Sequence, residues 1–166
     1  DLVLEAHNYE RGQIPTEIQH FIAWAFLFAI ETTMRQGEIL SIKRSNIHKD
    51  YIHLPDTKNG HSRDVPLMDN AKELLKLIPD NGSDKLIEIS SSTFQNTFSK
   101  RVKKANIKEL HFHDTRHEGI TRLVKLRKVP IEILMKITGH KTAGILINTY
   151  YNPTASEISE MLNGSN

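Results

Sequence analysis

Between Thr16 and Thr33, apolar residues recur at Ile18, Phe21, Ile22, Ala25, Phe28 and Ala29, the spacing of one helix face, while Trp24, Phe26 and Leu27 occupy the remaining sides. A helix that is apolar nearly all round has to be wrapped by other elements, so the chain must fold about it. Thr16 is its expected N-cap, with Glu17 in the first turn. At 166 residues, with no cysteine, the chain can build one core without a disulfide or metal staple. The longest apolar run, Phe21 to Ile30, is too short for a membrane span, and no charged-then-apolar leader opens the sequence. The absence of cysteine makes a reducing, cytoplasmic location the default expectation.

Downstream, Gln36 to Ile42 reads as a short helix entered at Gly37, with Glu38 at its favourable N-terminal end. The period then changes. Tyr51-Ile52-His53-Leu54, Thr57-Lys58-Asn59-Gly60 and Arg63-Asp64-Val65-Pro66-Leu67 read as strand, turn and strand, with Asn-Gly as the turn signal. Helices follow: one from Asp69 or Asn70 to Leu77, another from Ser92 or Thr93 through Ala105, and a third capped by Asp114 and running to about Lys128. The next is opened by Pro130 and closed by Gly139, and short helices cover Thr142 to Tyr151 and Thr154 to Leu162. The expected class is mainly α with one small antiparallel sheet, an α+β domain over residues 1–166 with 154–166 as a tail. Asp1 falls inside what reads as a helix, so a fragment of a longer protein is expected.

The formal charge of +2 is only mildly basic, so nucleic-acid affinity would have to come from local clusters. Two exist: Lys100, Arg101, Lys103, Lys104 with Lys108, and Arg122, Lys125, Arg127 with Lys128. Both also suit ordinary solvated helix faces.

Chemistry concentrates in His111-Phe112-His113-Asp114-Thr115-Arg116-His117, followed by Gly139-His140 and Tyr150-Tyr151. A guanidinium offers a planar fork to two phosphate oxygens and stays charged at any working pH. Arg35, at the boundary between the buried helix and the Gly37-Glu38 turn, can reach inward and be held by Glu38. His113 and Arg116, three residues apart on a helix start, can face one site. Lys58 in the hairpin turn is a cation able to protonate a leaving alkoxide. His140 offers an imidazole at a helix C-terminus, and Tyr150 or Tyr151 a phenol nucleophile that would form a phosphotyrosine. Read singly, each has a plain structural use: helix-end arginine, surface lysine, capping histidine, packing tyrosines. A hydrolytic zinc site is the competing chemistry, but His111 belongs to a preceding extended segment, and Arg116 would set a fixed positive charge beside the metal.

Taken in order, Arg35-Gln36-Gly37-Glu38-Ile39, Thr57-Lys58-Asn59-Gly60, His113-Asp114-Thr115-Arg116-His117, Gly139-His140-Lys141-Thr142 and Tyr150 resemble the tyrosine recombinases of the phage-integrase type. The resemblance implies the catalytic-domain fold of that family, without its N-terminal core-binding domain, and a DNA strand transferase needing no metal or nucleotide cofactor. Carried over by motif, Arg35 and Arg116 clamp the scissile phosphate, Lys58 protonates the leaving 5′-hydroxyl, His113 and His140 assist proton transfer and phosphate binding, and Tyr150 attacks. Tyr150 lies one residue beyond the family's usual position, which keeps Tyr151 open as the nucleophile. Thr149 replaces a usual arginine, and Glu118-Gly119 resembles a phage and genomic-island subset. Implied partners are double-stranded DNA, held along its backbone by Lys100, Arg101, Lys103, Lys104, Arg122 and Lys125, and further protomers in a tetrameric synapse, the isolated domain being monomeric. The implied place is the nucleoid of a bacterial cell. Integration or excision of a phage or mobile element is the implied outcome. The tail, with Ile158, Met161 and Leu162 on one face, would dock on a neighbouring protomer or on its own domain. The rival functions are a DNA-binding module with degenerate catalysis and the metal-dependent hydrolase.

Overall fold

In a computed structural model, residues 1–55, 62–151 and 153–164 are described, with backbone alone for residue 161. The expected Lys58 turn lies outside these residues. The elements run α1 (Leu2–Ala6), α2 (Ile18–Thr32), α3 (Gln36–Leu40), a 3-10 turn (Arg44–Asn46), β1 (Tyr51–Leu54), β2 (Arg63–Pro66), α4 (Asp69–Lys76), α5 (Ser91–Lys104), α6 (Asp114–Lys125), α7 (Ile131–Thr138), α8 (Gly144–Tyr150) and α9 (Ala155–Leu162). The mainly α class with a two-stranded antiparallel sheet is the one expected. Ile52 faces Val65 across the sheet and Leu54 faces Arg63.

α2 is buried nearly all round, as its composition requires. Trp24 stacks on Phe28 with ring centroids 4.8 Å apart and donates its indole N–H to the Leu74 carbonyl at 2.7 Å, tying α4 to the central helix. Around it, Ile39, Ile52, Val65, Phe94, Phe98 and Phe112 complete the larger apolar cluster. A smaller cluster, Ile120, Leu123, Leu134 and Leu146, joins α6, α7 and α8, with Tyr150 and Tyr151 packed against it. α6 bridges the two. Its close approach to α2 needs Gly119, where an added Cβ would stand 2.5 Å from the Ile30 carbonyl oxygen.

Several helix starts differ from expectation by a residue or two, each for a local reason. Glu17, not Thr16, is the N-cap of α2, and the buried His20 turns its Nδ1 back toward the Thr16 N–H at 3.4 Å. Asp114 is the first residue of α6 rather than its cap, because its carboxylate accepts the His111 N–H at 2.7 Å and closes the preceding turn instead. Ser90 caps α5 by accepting the Thr93 N–H at 3.1 Å. Gly37 makes no special entry: it lies within α3, outside the positive-φ region, and a Cβ there would meet nothing. Gly139 does close α7, in the left-handed region at φ 72°. Every described side chain of α9 is exposed, including Ile158 and Leu162, so none of these packs into this domain's core.

Candidate functional site

A cleft opens where α3, the N-terminus of α5 and the start of α6 meet, lined by Arg35, Glu38, Gln95, His113 and Arg116. At its floor lies Glu38, 8% exposed. Its carboxylate accepts the Arg35 N–H at 2.8 Å, which caps α3, and takes the guanidinium of Arg35 at 3.4 Å and that of Arg63 at 2.8 Å. Burial by itself would raise the Glu38 carboxyl. The charge of Arg63, the Arg35 N–H and the remaining arginine contacts outweigh it and hold the group below the usual carboxylate range.

Arg116 is 3% exposed, and both of its terminal nitrogens are anchored on backbone. One terminal nitrogen donates to the Thr33 carbonyl at 2.5 Å and the other to the Thr138 carbonyl at 2.7 Å. Thr33 ends α2 at φ 56°, a left-handed conformation unusual for a β-branched residue, and in that conformation its carbonyl accepts from Arg116. Burial first, then the like charge of Arg35, lowers the Arg116 pKa to about 10, which still leaves it charged at neutral pH. Three arginines, 35, 63 and 116, thus surround one carboxylate. The surplus positive charge suits an anionic ligand.

His113 sits on the cleft wall, its pKa lowered by partial burial and then by His117, Arg116 and Arg35. His140 follows Gly139, and its Nδ1 lies 2.6 Å from the Thr138 hydroxyl. Burial, then Arg116, Arg35 and Arg63, lowers its pKa to about 4, so the ring is neutral at pH 7. Tyr150, at the end of α8, brings its hydroxyl to 2.5 Å from His117 Nδ1, and partial burial raises its pKa against the pull of Arg116. Tyr151 points elsewhere and donates its hydroxyl to the Val129 carbonyl.

Five of the six candidate catalytic residues, Arg35, His113, Arg116, His140 and Tyr150, therefore share one electrostatic neighbourhood; Lys58 lies outside the described residues. The candidate DNA-binding residues lie further along their helices. Lys100 and Lys104 line a shallow groove with Asn96 and Thr97, while Arg101 also donates to the Ala6 carbonyl at 3.3 Å and Lys103 is exposed. Arg122 pairs with Glu118 at 2.7 Å, and Lys125 is exposed in the last turn of α6. Arg63 was not foreseen. It connects Glu38 to the Ile137 carbonyl, passing so close to Gly139 that a Cβ there would meet its Cδ at 2.9 Å. Thr138 was not foreseen either, since its carbonyl and hydroxyl serve Arg116 and His140 separately. Among the described residues, no three histidine, aspartate or glutamate side chains gather as a metal-ligand set.

Residues 4–157 match the phage integrase family. An integrase/recombinase of Haemophilus influenzae is 46% identical over 144 residues, 84% of this chain and 47% of that protein. The shufflon-specific DNA recombinase of Escherichia coli is 40% identical over 123 residues, 73% of this chain and 32% of its own length. The chain thus spans less than half the length of either relative. The solved catalytic domain of bacteriophage HP1 integrase superposes with a TM-score of 0.68 at 20% identity, covering 98% of this chain and 89% of that one. With the family motifs in order along that fold, the chain belongs to the phage integrase family.

Proposed function

We propose that this chain is the catalytic part of a site-specific DNA recombinase that cuts and rejoins strands through a 3′-phosphotyrosyl intermediate. The observation that carries the reading is the convergence of Arg35, His113, His140 and Tyr150 about the buried Arg116. Arg35 and Arg116 hold the scissile phosphate and neutralise the charge that grows on it as Tyr150 attacks phosphorus. Arg116 is fixed by two carbonyls, so little reorganisation is needed when the substrate arrives. Lys58 gives a proton to the departing 5′-oxygen, and rejoining reverses these steps with a partner strand's 5′-hydroxyl. Lys100, Arg101, Lys103, Lys104, Arg122 and Lys125 hold the duplex backbone, which makes binding steeply salt-dependent. The partners are double-stranded DNA and further protomers, with the exposed apolar face of α9 as one protomer contact, and the place of action is the bacterial nucleoid. Integration or excision of a mobile element is the outcome in this reading.

The test is covalent capture. Wild type, Tyr150→Phe and Tyr151→Phe are incubated with a randomised pool of nicked duplexes, with and without EDTA, and adducts are read on denaturing gels. An EDTA-resistant adduct lost only in Tyr150→Phe is expected. Loss only in Tyr151→Phe moves the nucleophile by one residue, and EDTA sensitivity favours the hydrolase. No adduct from wild type, with duplex binding retained, favours a binding module.

A further inference from the structure

Tyr150 must lose its phenolic proton as it bonds to phosphorus, and partial burial makes that loss harder. Among the described residues its hydroxyl has one hydrogen-bond partner, Nδ1 of His117 at 2.5 Å. His117 lies one residue past Arg116, on the exposed side of α6, with its ring 5.3 Å from that of His113 and 6.1 Å from that of Tyr150. Of the other two histidines close to the arginines, His140 has its Nδ1 on Thr138, and His113 meets the ring of His117 edge-on rather than the Tyr150 hydroxyl. The pairing comes from two independent placements: α6 fixes His117 through the buried anchor of Arg116, and α8 delivers Tyr150 from the smaller apolar cluster.

We infer that His117 is a further catalytic residue, the base that accepts the proton of Tyr150. The inference rests on Tyr150 being the nucleophile. In the cutting step the Tyr150 oxygen forms its bond to phosphorus while its proton passes to His117 Nδ1, and the P–O5′ bond breaks with a separate proton delivered to the 5′-oxygen by Lys58. In rejoining, His117 returns the proton to the departing phenol. The neutral ring must carry its own proton on Nε2 for Nδ1 to receive this one.

His117 is exposed, so substitutions there leave the core intact. The probe is a duplex selected by wild-type covalent capture, prepared with either oxygen or sulfur at the bridging 5′ position of the scissile phosphate. A sulfur leaving group departs without a proton, so it separates the two ends of the reaction. His117→Ala and His117→Gln should both form adduct about 100-fold more slowly than wild type on both duplexes, and added imidazole should restore part of the His117→Ala rate. Gln keeps a hydrogen-bond acceptor but cannot hold the proton. A near wild-type rate for His117→Gln would reduce the residue to positioning and overturn the inference. Recovery of His117→Ala on the sulfur duplex would also overturn it, by moving the residue to the leaving group. Failure of wild type to capture any duplex would instead remove the strand-transfer reading, and this inference with it.

Discussion

Arg63 on β2 and Glu38 on α3 form a buried ion pair of 2.8 Å, with side chains 10% and 8% exposed, that pins the sheet to the floor of the cleft. The same guanidinium donates to the Ile137 carbonyl, so one side chain holds the second strand, the capped start of α3 and the end of α7 that carries His140. Arg63→Met would leave Glu38 with the Arg35 N–H and, as its one remaining ion-pair contact among the described residues, the longer one to the Arg35 guanidinium. Breaking a buried pair on one side typically costs about 3 to 5 kcal/mol. A loss of about 3 kcal/mol is expected in urea unfolding, and Glu38→Gln on the Arg63→Met background should recover part of it.

Gly119 sets how closely α6 approaches α2. Its missing Cβ would lie 2.5 Å from a backbone oxygen of Ile30 and 3.0 Å from Cγ2 of Thr33, and backbone in a buried helix cannot swing aside. Gly119→Ala is therefore expected to destabilise by about 3 kcal/mol, the upper end for overpacking. It should also displace Arg116 from the Thr33 carbonyl. Thermal unfolding together with adduct formation would check both.

The central helix, the hairpin strands and the helix stop at Gly139 were legible because each depends on local pattern: apolar spacing, alternation, and a residue that tolerates positive φ. The clustering of Arg35, His113, Arg116 and Tyr150 was legible only through ordered motifs, since no periodicity reports a contact between α3, α6 and α8. Arg63 and Thr138 stayed hidden for a related reason. Arg63 sits in a strand where an arginine reads as solvent-facing, and its burial depends on the distant Glu38. Thr138 looks like a helix-terminal threonine, and its use is fixed by Arg116 arriving from another helix. Thr33 is hidden too, because a β-branched residue predicts against the left-handed conformation it holds at φ 56°.

Thr138 also decides which nitrogen of His140 is free. Its hydroxyl has one proton, which goes to the Leu134 carbonyl at 2.8 Å, so toward His140 Nδ1 at 2.6 Å it can only accept. Nδ1 is then protonated and Nε2 carries the lone pair. Nitrogen-15 spectra of the imidazole should show this tautomer in the wild type and in Thr138→Ser, and the Nε2-protonated form in Thr138→Val. An Nε2–H signal in the wild type would contradict the assignment.

The low pKa of His140 makes stability depend on pH. With the folded value at about 4 and the ordinary value at 6.5, the unfolded chain binds a proton between these limits that the folded chain refuses. Stability is whole above pH 6.5 and falls as pH drops toward 4, and the lowered His113 adds to it with the same sign. Because the ring is only half-buried, about 1 to 2 kcal/mol is expected from His140 after screening. Urea midpoints at pH 7 and pH 4.5 should differ less in His140→Gln than in the wild type by that amount. An equal difference in both proteins would place the acid sensitivity elsewhere.

Arg116→Lys keeps the charge and removes the fork. A guanidinium reaches the Thr33 and Thr138 carbonyls at 2.5 and 2.7 Å with two separate nitrogens, whereas one ammonium on a flexible stem cannot hold both lines at once. The α2 terminus and the α7 terminus then lose their common anchor, and the cation no longer presents a fixed direction to the phosphate. Losing one preorganised donor typically slows a reaction by about 100- to 1000-fold. Adduct formation in Arg116→Lys should fall by at least that much, while binding of duplex DNA at low salt, measured by fluorescence anisotropy, should weaken by less than about tenfold because the net charge is kept. A parallel collapse of binding would mean that Arg116 acts on the ground-state complex rather than on the transition state.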